Sequence, residues 1–342
     1  MKAIVFERHG PPDVLKYIEV PQPAIKPNEV LVRVKACALN HLDIWVRLGL
    51  PGVPIPLPHI PGSDVAGEIA QVGSEVTSVR VGQKVVLAPG VTCGKCPACV
   101  SGLDNRCRHF TNLGYMIDGG CAEFVRVPEV NCLPYPENLS FEEAAAVPLV
   151  FQTAWHMLVG RAQLQPGEDV LILGASSGVG SAAIQIAKFF GARVIATAGT
   201  DEKLQKAKRL GADHGINHKS QKIREEVRRI TNKRGVDVVF EHVGTATWDE
   251  SIASLAPSGR LVTCGATTGF DARIDLRFLF SRQLSLLGSY MGTKSELHTV
   301  LKLVAAGRLK PIVDRVFPLA QAAAAHAYLE SSSQFGKVVL RV

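Results

Sequence analysis

No stretch of this chain reaches about eighteen consecutive uncharged apolar residues, the length a membrane-crossing helix needs. Its opening, MKAIVFERHG, lacks the long apolar run behind a basic stretch that marks a secretory leader. There is also no internal repeat and no low-complexity tract. These absences lead to the expectation of a soluble, cytoplasmic protein with no membrane partner. Charge does not gather in one place either. The net charge of +7 is spread along the chain, and its densest basic run, KSQKIREEVRRITNKR, holds an internal acidic pair. Such a run reads as a solvated helix face, so nucleic acid is not expected as a partner, whereas a modest positive field suits phosphate-bearing cofactors.

What is present is the composition of a packed globular protein, 46% hydrophobic and 20% charged, over 342 residues, a length that favours two domains. From Met1 to about Pro136 short alternating runs such as KAIVFERHG, EVLVRVKACALN, DVAGEIAQVG and QKVVLAPG are cut by glycine and proline. This is all-β grammar, predicting a small barrel-like fold. A helical run is predicted from Glu142 to about Val159. After it, DVLILGA, ARVIATAG, DHGIN, VDVVFEHVG, GRLVTCGA and LSLLGSY alternate with helical runs, which predicts a doubly wound parallel sheet. The tail supplies two helices and a strand, GKVVLRV. It is too small to form a domain and is expected to fold back on the first half.

Eight cysteines are distributed unevenly. Cys93, Cys96, Cys99 and Cys107 fall within CGKCPACVSGLDNRC, while Cys37, Cys121, Cys132 and Cys264 are scattered among apolar neighbours. Without a secretory leader, clustered thiols fit a metal better than disulfides.

Residues 169–191 read DVLILGASSGVGSAAIQIAKFFG: a buried strand, a turn rich in glycine and serine, then a helix. Gly174, Ser176, Ser177, Gly178, Val179 and Gly180 are the candidate cradle for a pyrophosphate, since glycine permits close approach and the free N–H groups of the helix start favour the charge. The end of the next strand carries Ala198 and Gly199 where an NAD site commonly places an acid, with Thr200 and Lys203 just beyond. Room for a 2′-phosphate favours NADP(H) over NAD(H). Asp201 as a ribose ligand, or as a plain helix cap, is the competing reading. Val243, Gly244 and Gly265, at later strand ends, are expected near the nicotinamide.

Together these stretches resemble the medium-chain dehydrogenase/reductases, which include zinc alcohol dehydrogenases and quinone oxidoreductases. The resemblance runs from the first strands through PHIPGSDVAGEI, the cysteine array and GASSGVG to GKVVLRV. It implies a GroES-like all-β catalytic domain (residues 1–145 and 292–342, with a zinc lobe at about 90–110), a Rossmann domain (146–291), and a cleft in which nicotinamide meets substrate. It also implies that the four clustered thiols close a structural zinc site, one ion per chain, with no open position for chemistry.

The family's second, catalytic zinc needs a Cys, a His and a later Cys or Asp. At the matching positions stand Asn40, Ser63 and the stretch Pro148–Val150. Neutral amide and hydroxyl groups are poor substitutes for thiolate and imidazole. The resemblance therefore implies a quinone or α,β-unsaturated carbonyl as the small-molecule substrate. Asn40, His41, Asp43 and Asp64 are the candidate catalytic residues, with a structural role for Asp43 kept open, and Trp45 and Phe151 are candidate pocket walls. Rescue of a metal site by Cys37, His41, Asp43, His59 and Asp64 would restore an alcohol dehydrogenase. A non-enzymatic dinucleotide- or RNA-binding protein is the other alternative. LSLLGSY reads as an uncovered edge strand, and relatives commonly pair there, which implies a homodimer or homotetramer.

Overall fold

A computed structural model describes all of residues 1–342 and divides them into two compact units, Met1–Gln152 with Thr293–Val342, and Thr153–Gly292. The first unit begins with β1 (Lys2–Val5), β2 (Lys16–Glu19), β3 (Glu29–Ala38), α1 (His41–Leu48), β4 (Asp64–Val72) and β5 (Lys84–Leu87). It continues through β6 (Gly90–Val91), α2 (Pro97–Val100), β7 (Thr111–Asn112), β8 (Phe124–Pro128), β9 (Cys132–Pro134), α3 (Phe141–Ala145) and α4 (Pro148–Trp155), whose last three residues belong to the second unit.

The second unit contains β10 (Asp169–Ile172), α5 (Gly178–Phe189), β11 (Arg193–Ala198), α6 (Asp201–Arg209), β12 (His214–Asn217) and α7 (Ile223–Ile230). It ends with β13 (Val236–Glu241), α8 (Trp248–Ser254), β14 (Leu255–Thr263), α9 (Leu276–Ser281) and β15 (Ser285–Gly288). The chain then returns to the first unit as α10 (Lys294–Ala305), β16 (Val313–Pro318), α11 (Ala322–Glu330) and β17 (Lys337–Arg341).

The first unit is built on a seven-stranded sheet in the order β16-β17-β3-β4-β5-β9, with β8 also paired to β3. Long β3 carries it: its β-branched and leucine residues, Val30, Leu31, Val32 and Val34, are buried, while Arg33 between them faces out. Its core also takes in β1 and the apolar face of α11, with Phe6, Val14, Leu113, Ala325 and Leu329 buried. β1 and β2 form a separate two-stranded sheet. The helix expected over 142–159 is interrupted. α3 stops at Ala145, α4 restarts at Pro148, and residues 156–161 form a π-helical turn. Pro148 is the physical reason, since it has no N–H to continue α3 but suits the first turn of α4.

In the second unit all pairings are parallel and the order is β12-β11-β10-β13-β14-β15. The order reverses direction between β10 and β13, and doubly wound sheets hold ligands at the carboxyl ends of the strands beside such a reversal. Strands β10, β11 and β13 are apolar on both faces, as central parallel strands must be. β15 is an edge.

Candidate active site and metal lobe

In the first unit the sheet gathers residues far apart in sequence. Ala38, at the end of β3, lies opposite Asp64 of β4 on one side and Val339 of β17 on the other. Asn40 follows β3 by two residues and Lys337 opens β17, so both reach the end of the sheet where Asp64 sits. Lys337 Nζ donates to Asp64 Oδ2 at 3.0 Å and to Asn40 Oδ1 at 2.5 Å. Asn40 Nδ2 donates to the same Asp64 oxygen at 3.0 Å, and the Leu149 N–H donates to Asp64 Oδ1 at 2.8 Å. All three side chains are buried. The lost hydration of the two charges is offset by four hydrogen bonds around one carboxylate and one ammonium.

Asp43 does a different job. Its Oδ2 accepts from the Asn40 N–H at 2.7 Å and its Oδ1 from the Gly62 N–H at 2.9 Å, so it ties the start of α1 to the Pro61–Gly62 turn. Both oxygens are thus engaged by backbone donors. Burial pushes its pKa up to about 6, against the opposing pull of the Asn40 N–H and Lys337. The folded chain therefore holds a proton that the unfolded chain releases from about pH 4 upward. This contribution to stability is present at low pH and lost as pH rises through 6. Urea unfolding from pH 4.5 to 7 should show wild type losing about 2 kcal/mol relative to Asp43→Asn over that range; parallel curves for the two proteins would contradict it.

The residues that could have rebuilt a second metal site do not converge. Ser63 Oγ donates to the Leu113 carbonyl at 2.7 Å, Cys37 Sγ lies 3.8 Å from Cys121 Sγ, and His59 Nδ1 is 3.8 Å from Asp118 Oδ1. Burial holds His59 below its ordinary pKa, while the hydrogen bond with the Cys121 thiol and then burial push Cys37 up, so neither is poised as a charged group. His41, the first residue of α1, stacks edge-on to Trp45 at 5.6 Å between ring centroids. Phe151 is buried in α4.

One group of three or more His, Cys, Asp or Glu side chains is arranged to hold a metal: Cys93, Cys96, Cys99 and Cys107, their sulfurs all within 4.8 Å of one another. The separations are 3.6 Å (Cys93–Cys107), 3.5 Å (Cys96–Cys99) and 4.0 Å (Cys93–Cys99). A tetrahedron of sulfurs with metal bonds of about 2.3 Å has edges of about 3.8 Å, so the donor set fits zinc. Backbone N–H groups of Lys95 and Cys96 pull Cys93 down to about 6, the direction a thiolate ligand needs, whereas burial pushes Cys99 up to about 11. Four thiolates leave no open position, which makes the site structural. The lobe has few buried side chains of its own. It is pinned by Lys294, whose Nζ donates to Asp104 Oδ2 at 3.1 Å and to Thr92 Oγ1 at 3.2 Å.

At the carboxyl end of the parallel sheet the glycine-rich turn is held from several sides. Gly174 has φ +57°, and a Cβ on Gly180 would lie 2.3 Å from the Gly174 carbonyl oxygen, so neither position accepts a side chain without displacement. Ser177 caps α5, its Oγ accepting from the Gly180 N–H at 2.9 Å. Ser176, Gly178 and Val179 complete the turn and are half-buried, leaving the first turn of a twelve-residue helix facing the carboxyl edge. Close backbone approach and a free helix start fit a dinucleotide pyrophosphate. The His242 ring packs over Gly174, with Nε2 2.9 Å from the Leu173 carbonyl and 3.4 Å from Ser177 Oγ. Beyond it, Glu241 is fully buried and accepts from the Val243 and Gly244 N–H groups at 2.6 and 3.1 Å and from Ser251 Oγ at 2.6 Å. That carboxylate fixes the turn that carries Val243 and Gly244; Gly265 follows β14 at the same edge.

This two-part plan is matched by comparison with known proteins. Residues 26–137 match the alcohol dehydrogenase GroES-like domain, and residues 178–306 the zinc-binding dehydrogenase family. The chain belongs to the medium-chain dehydrogenase/reductase superfamily. It is 31% identical to a quinone oxidoreductase of Rattus norvegicus, over 99% of this chain and 97% of that one. It is 35% identical to a crotonyl-CoA carboxylase/reductase of Cereibacter sphaeroides, over 95% and 83%. A solved NAD-dependent alcohol dehydrogenase is 48% identical, with a TM-score of 0.97 and full coverage of both chains. The GroES-like β domain and the Rossmann sheet read from the sequence are therefore present, and the protein is an oxidoreductase that uses a nicotinamide dinucleotide.

Several residues of these candidate sites were not singled out from sequence. Lys337 sits in GKVVLRV, read only as a strand; its partner Asp64 is 273 residues away, and nothing local signals the pair. His242 and Glu241 lie one and two residues before Val243, and a buried carboxylate at a strand end was the available clue. His218 and Lys219 follow β12 and approach Gly199, a neighbourhood that only the parallel order β12-β11 creates.

Proposed function

We propose that this chain is an NADPH-dependent reductase of quinones or α,β-unsaturated carbonyl compounds, and that it works without a catalytic metal. The observation that carries this reading is the fate of the family's catalytic zinc positions: Asn40 is locked to Asp64 and Lys337, Ser63 is spent on a backbone carbonyl, and Leu149 offers only its N–H. An unactivated alcohol needs a strong electrostatic partner for its developing alkoxide, whereas a conjugated carbonyl spreads the charge.

When bound, the cofactor supplies the hydride. The chain's own part is to grip it and to order the polar groups around the substrate. Gly174–Gly180 would hold the pyrophosphate, and Val243, Gly244 and Gly265 would lie along the nicotinamide half. Ala198 and Gly199 present no carboxylate to the adenosine ribose, and Thr200 and Lys203 stand beside them, which supports NADP(H) over NAD(H). Asp64 and Lys337 hold the Asn40 amide at a fixed orientation. His41, at the start of α1, or Asp43 behind it would supply or relay the proton, and Asp43 sets the position of that helix start. Edge strand β15, with Leu286 and Leu287 half-buried, supports pairing with a second copy.

Initial rates decide the matter. With NADPH, quinones, enones and enoyl thioesters should turn over in the presence of a chelator, at least about 100-fold faster than matched saturated aldehydes are reduced, a gap of roughly 2.7 kcal/mol in barrier. Similarity to an alcohol dehydrogenase favours a second reading, oxidation of alcohols with NAD at a metal; chelator-sensitive alcohol oxidation would establish it instead.

A further inference from the structure

At the carboxyl end of β11 the chain presents a group whose charge is adjustable. A Cβ built on Gly199 would lie 3.2 Å from Lys219 Cε and 3.3 Å from His218 Nε2, so both side chains from the turn after β12 reach over this glycine. Lys203, on the first turn of α6, is close enough to act on the His218 imidazole electrostatically. Of the acidic side chains at the start of α6, Asp201 accepts through Oδ1 from Asn217 Nδ2 at 2.8 Å, and Glu202 pairs with Lys206 at 2.9 Å. The Lys219 side chain and the His218 imidazole therefore lie at the strand end that ordinarily meets the adenosine ribose, with Lys203 within electrostatic reach of the imidazole.

We propose that His218 takes up a proton when a 2′-phosphate docks beside Gly199, so that binding of NADPH, but not of NADH, is coupled to protonation of this side chain. The inference rests on the reading that this strand end receives the 2′-phosphate. Burial, and then the ammonium groups of Lys219 and Lys203, hold His218 below its ordinary pKa in the free chain. A dianionic phosphate reverses the sign of that environment. It neutralises the two lysines, and its oxygens accept from the imidazolium N–H. Above about pH 6.5, NADPH affinity should then fall with rising pH, by up to about one tenfold step per pH unit, while NADH affinity stays level in that range. The phosphate cannot mimic the effect. Its second pKa is about 6, and docking on cations favours the dianion, so it releases at most about a tenth of a proton at pH 7 instead of taking one up.

The test is isothermal titration calorimetry of the full chain at pH 7.0 in two buffers of different ionisation enthalpy, with NADPH and NADH, on wild type and His218→Phe. The expected result is uptake of about half a proton or more per NADPH bound to wild type, little for NADH, and none for His218→Phe, which still binds NADPH through its lysines. Equal uptake with both cofactors, or unchanged uptake in His218→Phe, overturns the inference while leaving the cofactor reading intact. NADPH binding no tighter than NADH at any pH overturns both.

Discussion

Lys337→Met should destabilise the fold by about 3–5 kcal/mol, because it leaves the Asp64 carboxylate buried without its counter-charge. In the native chain Asp64 is fully buried and Lys337 4% exposed, so neither charge has water to fall back on. Asp64 would keep its bonds from the Leu149 N–H and the Asn40 amide, but these carry no compensating charge. The double variant Lys337→Met, Asp64→Asn removes both charges and should recover at least about half of the loss, since a buried pair is costly chiefly when one partner is missing. Urea unfolding of the two single variants and the double gives the coupling energy directly. A value near zero would mean that the pair is hydrated in solution and that Asn40 is not held by it. Turnover with an enone should fall together with stability in Lys337→Met and be better preserved in Lys337→Arg, which keeps the charge but not its compact shape.

Cys96→Ser, Cys99→Ser should abolish metal binding and unfold residues 93–107 locally. Structural zinc sites in small peptides bind with about 10–16 kcal/mol of apparent free energy, and that free energy is what folds them. This lobe has two very short helical turns, and Cys107 and Asn105 are its buried side chains. Without the metal little else orders it. Trypsin should then cut at Lys95, Arg106 or Arg108 at least about 100-fold faster than in the metal-loaded chain, since cleavage follows the population of the opened segment. The parallel sheet and its core should persist, with far-ultraviolet dichroism changed little and NADPH still bound. Loss of dinucleotide binding in the variant would show that the lobe does more than hold its own loop.

Much of this architecture was legible because it is written in local chemistry. The β-branched alternation of EVLVRVKACA and the continuous apolar run of DVLI follow from how many faces each strand buries, and both runs form the strands expected. The thiol array and the glycine-rich turn are also contiguous; the four thiols come together, and the turn joins a strand to a helix. Less visible were elements whose stability comes from packing: β16 and α8 lack strong periodic signals, and the helix across residues 142–159 gave way to Pro148. Least visible was the polar network. Asn40 and Asp64 were singled out only through resemblance to a metal site that this chain does not keep. The lysine that organises them arrives from the far end of the chain because β17 pairs with β3. His218 is the same kind of case, a plain turn residue until parallel pairing of β12 with β11 brings it over Gly199.

The measurement that tests the central claim most directly is the number of zinc ions per chain, by elemental analysis of protein purified without chelator or added metal. One ion per chain is predicted, held by Cys93, Cys96, Cys99 and Cys107 and absent from Cys96→Ser, Cys99→Ser. Two ions per chain, with one surviving in that variant, would contradict the account, place a metal near Asn40 and Asp64, and return the chain to alcohol chemistry.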